Sequence, residues 1–236
     1  MLDQSPNSLL ASLPPPYRSH LLARLKPVSF TAREVLYEPD EAPRFAHFMT
    51  SGVASIVSTM ANGGTAEVGI WGNEGLVESF HLLGGGRMPT RCFIQVDGTA
   101  LRMPYKDLQK EFQDSDELRE AVLQCVQSQA FILCQLAACN RLHEAEERLA
   151  RWFLMVRDRM ESDTFYLTQE FLATMLGSRR TTVTAAAGEL QRKGYIRYSR
   201  GRIHILNANA LEGEACECYA TVRNIHQNFY AGMALT

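Results

Sequence analysis

Apolar positions along this 236-residue chain change period several times, and each change predicts a different kind of element. Residues 8–26 hold an apolar run, a Pro14-Pro15-Pro16 break, then Leu21, Leu22 and Leu25 at helical spacing, so a small entry helix is expected to start near the prolines. From 27 to 103 the period falls to two: Ala66, Val68 and Ile70 alternate with Thr65, Glu67 and Gly69, and Cys92, Ile94 and Val96 with Arg91, Phe93 and Gln95. Ten of the sixteen glycines lie from Gly52 to Gly98 and cut this region into short strands at 53–59, 65–71, 91–96 and 99–103. Many short strands at such spacing predict a sandwich or barrel. Gly84-Gly85-Gly86 reads as a hairpin tip, because no Lys-Ser/Thr pair follows it as in a phosphate loop.

Helical spacing returns at Asp116. Leu118, Val122, Cys125, Gln129, Ile132, Leu136 and Cys139 step by alternating fours and threes, a heptad seam. Leu123, Val126, Ala130, Leu133 and Ala137 make a second stripe on a neighbouring face. A helix with two apolar stripes must bury both, one on the chain's own strands and the other on a partner helix, which predicts a homodimer joined through Leu118, Val122, Cys125, Gln129, Ile132 and Leu136; the alternative is a central helix buried within a monomer. Residues 140–143 read as a hinge and 144–159 as an amphipathic helix. Near the end, Tyr219, Val222, Ile225, Phe229 and Tyr230 predict one terminal helix over 211–233.

The segment 167–206 is the most informative. Thr168 reads as an N-cap ahead of Phe171, Leu172, Met175 and Leu176, and Gly177 suits the left-handed residue that ends a helix. Ser178 is then the expected N-cap of a second helix carrying Val183, Ala186, Ala187 and Leu190, closed by Lys193 and Gly194. Two β-rich runs, 195–198 and 203–206, flank Ser199-Arg200-Gly201-Arg202, which has the composition of a hairpin turn. Helix, glycine turn, helix and hairpin make a winged helix-turn-helix. Residues in the first turns of its second helix reach base edges in a major groove: Ser178, Arg179, Arg180, Thr181, Thr182 and Thr184. Thr168 and Gln169 from the first helix and Arg200 and Arg202 from the wing complete the expected DNA contacts.

Charge sharpens this picture. Residues 164–206 carry seven basic side chains against two acidic ones, while the whole chain is at −2, so positive charge is concentrated where DNA contact is expected. Other chemistry is sparse. There is no nucleophile–base signature or HExxH motif, and no enzymatic activity is expected. Cys216-Glu217-Cys218 with His226 suggests a metal, but residues two apart on a helix do not share a face, and no metal site is expected. Neither a signal peptide nor some 18 uninterrupted apolar residues occur, so a cytoplasmic protein without membrane contact, its six cysteines mostly reduced, is expected. Cys125, Cys134 and Cys139 on the long helix read as small apolar residues, with redox sensing the alternative role.

Gly177-Ser178-Arg179-Arg180-Thr181-Thr182-Val183, ahead of Leu190 and Gly194-Tyr195-Ile196, resembles the DNA-binding segment of the Crp/Fnr family of bacterial transcription regulators. The phrases Glu34 to Asp40, Phe48 to Ala54 and Gly72-Asn73-Glu74-Gly75 resemble that family's cyclic-nucleotide-binding β-roll. The resemblance implies an α+β fold: an N-terminal β-roll of the double-stranded β-helix or jelly-roll type (1–113), a long dimerisation helix with hinge (114–140) and a C-terminal winged helix-turn-helix (141–210), here followed by an extra helix (211–236). It also implies double-stranded DNA with a palindromic operator as partner, RNA polymerase as a further one, and Arg180 as the arginine that reads a guanine. The family's usual glutamate is Thr181 here, and its next arginine falls at Thr184 or Ala185, which implies a different operator sequence. For the effector pocket it points to Asn73, Glu74, Gly75, Leu76, Thr90, Arg91, Leu133 and Cys134. The glutamate expected for the ribose is replaced by Asn73, the Arg-Ser pair for the cyclic phosphate by Pro89-Thr90, and the hydroxyls for the adenine by Leu133-Cys134, so cyclic AMP is not expected to bind. No cysteine precedes Cys92, so the N-terminal iron–sulfur cluster of the family's oxygen sensors is not expected either. The competing reading is a ligand-sensing regulatory subunit that acts through protein–protein contacts.

Overall fold

A computed structural model of the chain describes residues 6–84 and 87–231. Gly85 and Gly86 of the expected hairpin tip, the side chains of Phe229 and Tyr230, and Met233 lie outside the described residues. The chain forms two compact units: one holds the described residues up to 56, 70–131 and from 225 on, the other residues 57–69 and 132–224.

The first unit is the expected β-roll. Strands β1 (Lys26–Phe30), β2 (Val35–Tyr37), β3 (Phe45–Thr59), β4 (Thr65–Trp71) and β5 (Arg91–Pro104) form one sheet ordered β1-β5-β3-β4, with β2 also on β5. The two strands expected at 91–96 and 99–103 are thus one. Within it, a Cβ added at Gly98 would lie 2.3 Å from the Ser51 carbonyl oxygen and 2.6 Å from the Gly52 Cα. Two glycines let β3 and β5 cross at this distance, and no side chain fits there. The alternation of 92–96 does not separate core from solvent, because Cys92, Phe93, Ile94, Gln95 and Val96 are all buried. Val68, expected inward, is exposed.

The N-terminal segment folds as two helices where the pattern predicts one, α1 (Ser8–Ser12) and α2 (Pro15–Leu22), with prolines at the start of the second as their fixed φ favours. Helix α3 (Tyr105–Asp114) follows β5, and the long helix α4 runs over Asp116–Leu142. Within the first unit, Leu118, Ala121, Val122, Cys125 and Val126 of α4 join Trp71, Leu76, Leu9 and Leu10 in one apolar core.

This placement corrects the expected dimer seam. Leu118, Val122, Cys125, Gln129, Ile132 and Leu136 are all buried within the single chain. The exposed face coincides with neither stripe: Leu123 is 46% exposed and Phe131 52%, with Gln127, Cys134 and Ala137 exposed beside them, whereas Val126 of the second stripe is buried and Ala130 and Leu133 are half-buried. By length and composition α4 could cross a membrane, but 44% of its apolar window is already buried inside the chain, as in a core helix.

The second unit holds α5 (Ala145–Met160), β6 (Thr164–Tyr166), α6 (Gln169–Met175), α7 (Arg180–Arg192), β7 (Ile196–Ser199), β8 (Arg202–Ile205), α8 (Ala208–Glu214) and α9 (Cys218–Ala231), the last continuing past residue 224. Glu144 and Glu147 close a capping box that starts α5. Its Phe153 packs on Phe165 at 5.9 Å between ring centres, and Trp152 donates to Glu67 Oε1 at 2.8 Å. The wing gains a strand that the hydrophobic pattern does not reveal: β6 pairs with β8, giving a sheet ordered β6-β8-β7. Three residues are too short for an alternation to register. The terminal segment is likewise two helices, broken at residues 215–217.

Candidate nucleic-acid interface

Helix α6 starts where expected, with Thr168 Oγ1 accepting from the Phe171 N–H at 3.2 Å. It ends at Gly177, whose φ of +56° is the left-handed turn between the two helices. The expected N-cap of α7 is corrected by one residue. Ser178 Oγ instead donates to the Leu176 carbonyl at 3.2 Å, and the extended residue before the helix is Arg179, which makes no side-chain cap. The first N–H groups of α7 therefore have no side-chain cap.

Arg179, Arg180, Thr181, Thr182 and Thr184 are all exposed around this turn, while Val183, Ala186, Ala187 and Leu190 bury the opposite face. Gln169 and Thr184 tie the two helices together, the hydroxyl donating to Gln169 Oε1 at 2.9 Å. Half-buried Arg148 reaches the end of α6 and donates to the Leu176 carbonyl at 2.5 Å. Arg180 also borders a concavity of about 540 Å³ that it shares with Glu170, Thr174, Ser178 and residues 60–66 of the β3–β4 hairpin.

The wing is a two-residue hairpin, Arg200 at φ +50° and Gly201 at +78°. Positive φ at both positions is the turn that matches strand twist. Tyr198 pins the wing by donating to the Leu167 carbonyl at 2.7 Å, and burial pushes its phenol up to about 12, so it stays a neutral donor. Thr164, Tyr166, Arg197, Ser199, Arg200, Arg202 and His204 line a concave face of about 520 Å³, with Arg202 5.7 Å over the Tyr166 ring.

The positive charge counted in the sequence is not all available. Arg192 pairs with Glu189, and Lys193 is shared by Glu146 at 2.8 Å and Glu214 at 2.7 Å, which raises its pKa. Arg179, Arg180, Arg197, Arg200 and Arg202 form no ion pair among the described residues. These five make the available electropositive surface.

In the β-roll, residues 73–75 form a turn and Glu74 is buried. Asn7, which sequence reasoning passes over, holds this turn by donating to the carbonyls of Gly75 at 2.8 Å and Met49 at 2.9 Å. Its own Oδ1 caps α1 at Leu10, so an Asn followed by an apolar helical run is the signal that could have found it. A Cβ on Gly75 would meet Trp71 at 2.4 Å and Cys125 Sγ at 2.9 Å, and Leu76 is buried beside it. Arg91 lies 3.2 Å from Glu38 at the surface, with Thr90 half-buried next to it. Deeper, Glu78 accepts from His47 through both its backbone N–H and its ring, each at 2.7 Å. His81 stacks edge-on against Tyr37, and burial lowers its pKa. Leu133 is half-buried and Cys134 exposed on α4.

The cysteine pair of the C-terminal segment also departs from expectation. Cys216 lies between α8 and α9 rather than on a helix, so Cys216 and Cys218 can converge, and they do so on Cys139 and His143 at the end of α4. His226 is not among them.

Residues 27–115 match the model of the cyclic nucleotide-binding domain, and residues 147–214 that of the Crp-like helix-turn-helix domain. Among solved structures, a Crp-family transcriptional regulator from Thermus thermophilus is 19% identical with a TM-score of 0.66, over 80% of this chain and 96% of that one. A regulator of the Crp/Fnr family from Eubacterium rectale gives 15% and 0.68, over 89% and 99%. The c-di-GMP-responsive global regulator of Xanthomonas campestris gives 15% and 0.63, over 79% and 96%. At these identities the structures speak for the fold. No curated protein matches the chain. With a cyclic nucleotide-binding domain and a Crp-like helix-turn-helix in that order along one chain, the protein belongs to the Crp/Fnr family of transcription regulators.

Proposed function

We propose that this regulator binds a palindromic DNA operator as a homodimer, with α7 of each subunit in the major groove and half-sites about one helical turn apart. The observation that carries this reading is the open first turn of α7, where two unpaired arginines and two threonines surround an uncapped helix N-terminus. Arg180 can give two hydrogen bonds to a guanine edge, Thr181 and Thr182 can meet a phosphate or a thymine methyl, and the free N–H groups suit a phosphate. Arg200 and Arg202 would lie on the sugar–phosphate backbone and add affinity without sequence preference. The second copy is supported by Leu123 and Phe131, two large apolar side chains about half exposed on one side of α4. Family resemblance alone supports a contact with RNA polymerase and a cytoplasmic site of action.

Selection of bound sequences from random DNA by the full chain should enrich a two-fold symmetric site, and recovery of no preferred sequence would overturn the reading. The wing gives a separate expectation. Arg200→Asn keeps a residue that tolerates positive φ, and Arg202→Ala removes the second cation. Each should weaken specific and random DNA alike and lower the slope of log K against log salt by about one per lost phosphate contact. Loss of preference at one base pair would instead make that arginine a base reader.

The effector is proposed to be something other than cyclic AMP. Its phosphate needs a charge-assisted donor where Pro89 has no N–H and Arg91 lies 3.2 Å from the carboxylate of Glu38. Calorimetry with cyclic AMP and cyclic GMP should show no binding at physiological concentration, and a micromolar dissociation constant for either would restore a nucleotide-controlled mechanism.

A further inference from the structure

We propose that Cys139, His143, Cys216 and Cys218 form a closed tetrahedral site for a divalent metal ion of the zinc class. Their donor atoms all lie within 4.8 Å of one another. Cys139 Sγ is 3.5 Å from Cys216 Sγ, and Cys218 Sγ is 3.6 Å from His143 Nδ1. A tetrahedral zinc ion, about 2.3 Å from sulfur and 2.0 Å from nitrogen, spaces its donors roughly 3.4–3.8 Å apart, so only small side-chain movements separate this cluster from ligation. All three cysteines are free and buried, and they pack as a cluster of their own instead of joining the apolar core.

Local structure explains the convergence. Cys139 lies in the last turn of α4 and His143 just past its end, with the His143 N–H donating to the Cys139 carbonyl at 3.1 Å. Cys216 and Cys218 sit where the chain leaves α8 through an extended Ala215 and turns into α9, with the Tyr219 N–H bonded to the Cys216 carbonyl at 3.0 Å. The surroundings are those of a ligand set. His143 Nε2 faces Glu217 Oε2 at 3.2 Å, which orients Nδ1 toward the thiols as a carboxylate orients a metal-bound imidazole. Gln135 Nε2 donates to Cys218 Sγ at 3.1 Å, a bond suited to a thiolate. Arg151 is 3% exposed, close enough for its charge to act on Cys139 and Cys216, and pairs with no carboxylate among the described residues. A buried unpaired guanidinium is costly, and three thiolates with one divalent ion leave the single negative charge that offsets it.

Binding would release the thiol protons to solvent and fasten the last turn of α4 to the α8–α9 junction. With four protein donors there is no open position for water, so the ion is structural and not catalytic. The inference does not rest on the DNA-binding reading.

Elemental mass spectrometry of the full chain, purified under reducing conditions, should find about one zinc per chain. Cys216→Ser and His143→Ala should each reduce this at least tenfold, while Cys134→Ser, which removes an exposed thiol of the same helix, should leave it unchanged. Zinc removal by a chelator should lower the melting temperature by roughly 5 °C or more, reversed by adding zinc back. Cobalt added to the stripped chain should show the ligand-field bands of tetrahedral thiolate coordination, and His143→Cys, which keeps four donors, should still bind it. Stripped chain that binds neither zinc nor cobalt, iron in place of zinc, a Cys139–Cys216 disulfide in the purified protein, or zinc retained by both Cys216→Ser and His143→Ala would overturn the proposal.

Discussion

Glutamate at both Leu123 and Phe131 is expected to turn a dimer into a folded monomer and to abolish tight operator binding. These side chains are about half exposed on α4, eight residues apart on one face, so a charge on each is tolerated by the isolated chain. Between two copies of α4 the same charges lose water and face an apolar partner, which neither Coulomb attraction nor hydrogen bonding offsets. A monomer reaches only one half-site. Losing the linked second half removes an effective-concentration gain of roughly 10²–10⁴ in affinity without touching any DNA contact. Light scattering should report the mass of one chain, circular dichroism should be unchanged, and the mobility shift of the symmetric site should disappear at concentrations that saturate the parent protein. Leu136→Glu should behave differently. It places a carboxylate at a position buried within the chain and should lower the melting temperature before it changes assembly. A folded dimer from the Leu123→Glu/Phe131→Glu chain would move the interface away from this stripe.

That contrast also marks the limit of what periodicity can say. Two apolar stripes on α4 are legible, as is the need to bury both, but a heptad count does not say which stripe the chain covers with its own β-roll. Trp71, Leu76 and α1 make that choice, and they lie far from α4 in sequence. The helix-turn-helix is readable nearly residue by residue because its signals are local: Thr168 as cap, Gly177 as left-handed turn, Val183 to Leu190 as buried face. Only the cap of α7 moves, since Ser178 bonds backward into the turn and leaves the helix start open. Short strands such as β1, β2 and β6 leave no period to detect. The thiol cluster escapes sequence reasoning for a related reason. A Cys-x-Cys pair that reads as helical falls where the helix breaks, and its partners Cys139 and His143 come from another part of the chain. Charge counting has the same weakness: Arg192 and Lys193 contribute to the sequence total and are consumed by Glu189, Glu146 and Glu214.

Arg180→Ala should cost the most of any single change at the DNA surface. Arg180 is the first residue of α7, exposed, with no ion pair to break among the described residues, so the substitution has little to do to folding. A two-pronged contact to guanine contributes about 1–3 kcal/mol, and a symmetric dimer carries the loss twice, so roughly 2–6 kcal/mol, or about thirty- to twenty-thousand-fold in affinity, is at stake. Binding to random DNA should fall far less, because that binding rests on total positive charge, to which Arg179, Arg197, Arg200 and Arg202 still contribute. Arg180→Lys separates the two effects. It keeps the charge and loses the planar pair of donors, so random DNA should be bound as before while discrimination at one base pair of each half-site relaxes. Arg179→Ala is the control: Arg179 is the extended residue before the helix, and its loss should lower the salt slope without changing sequence preference. If mobility-shift titrations showed Arg180→Ala weakening specific and random DNA by the same factor, Arg180 would be a phosphate contact, and base reading would pass to Thr181, Thr182 and Thr184.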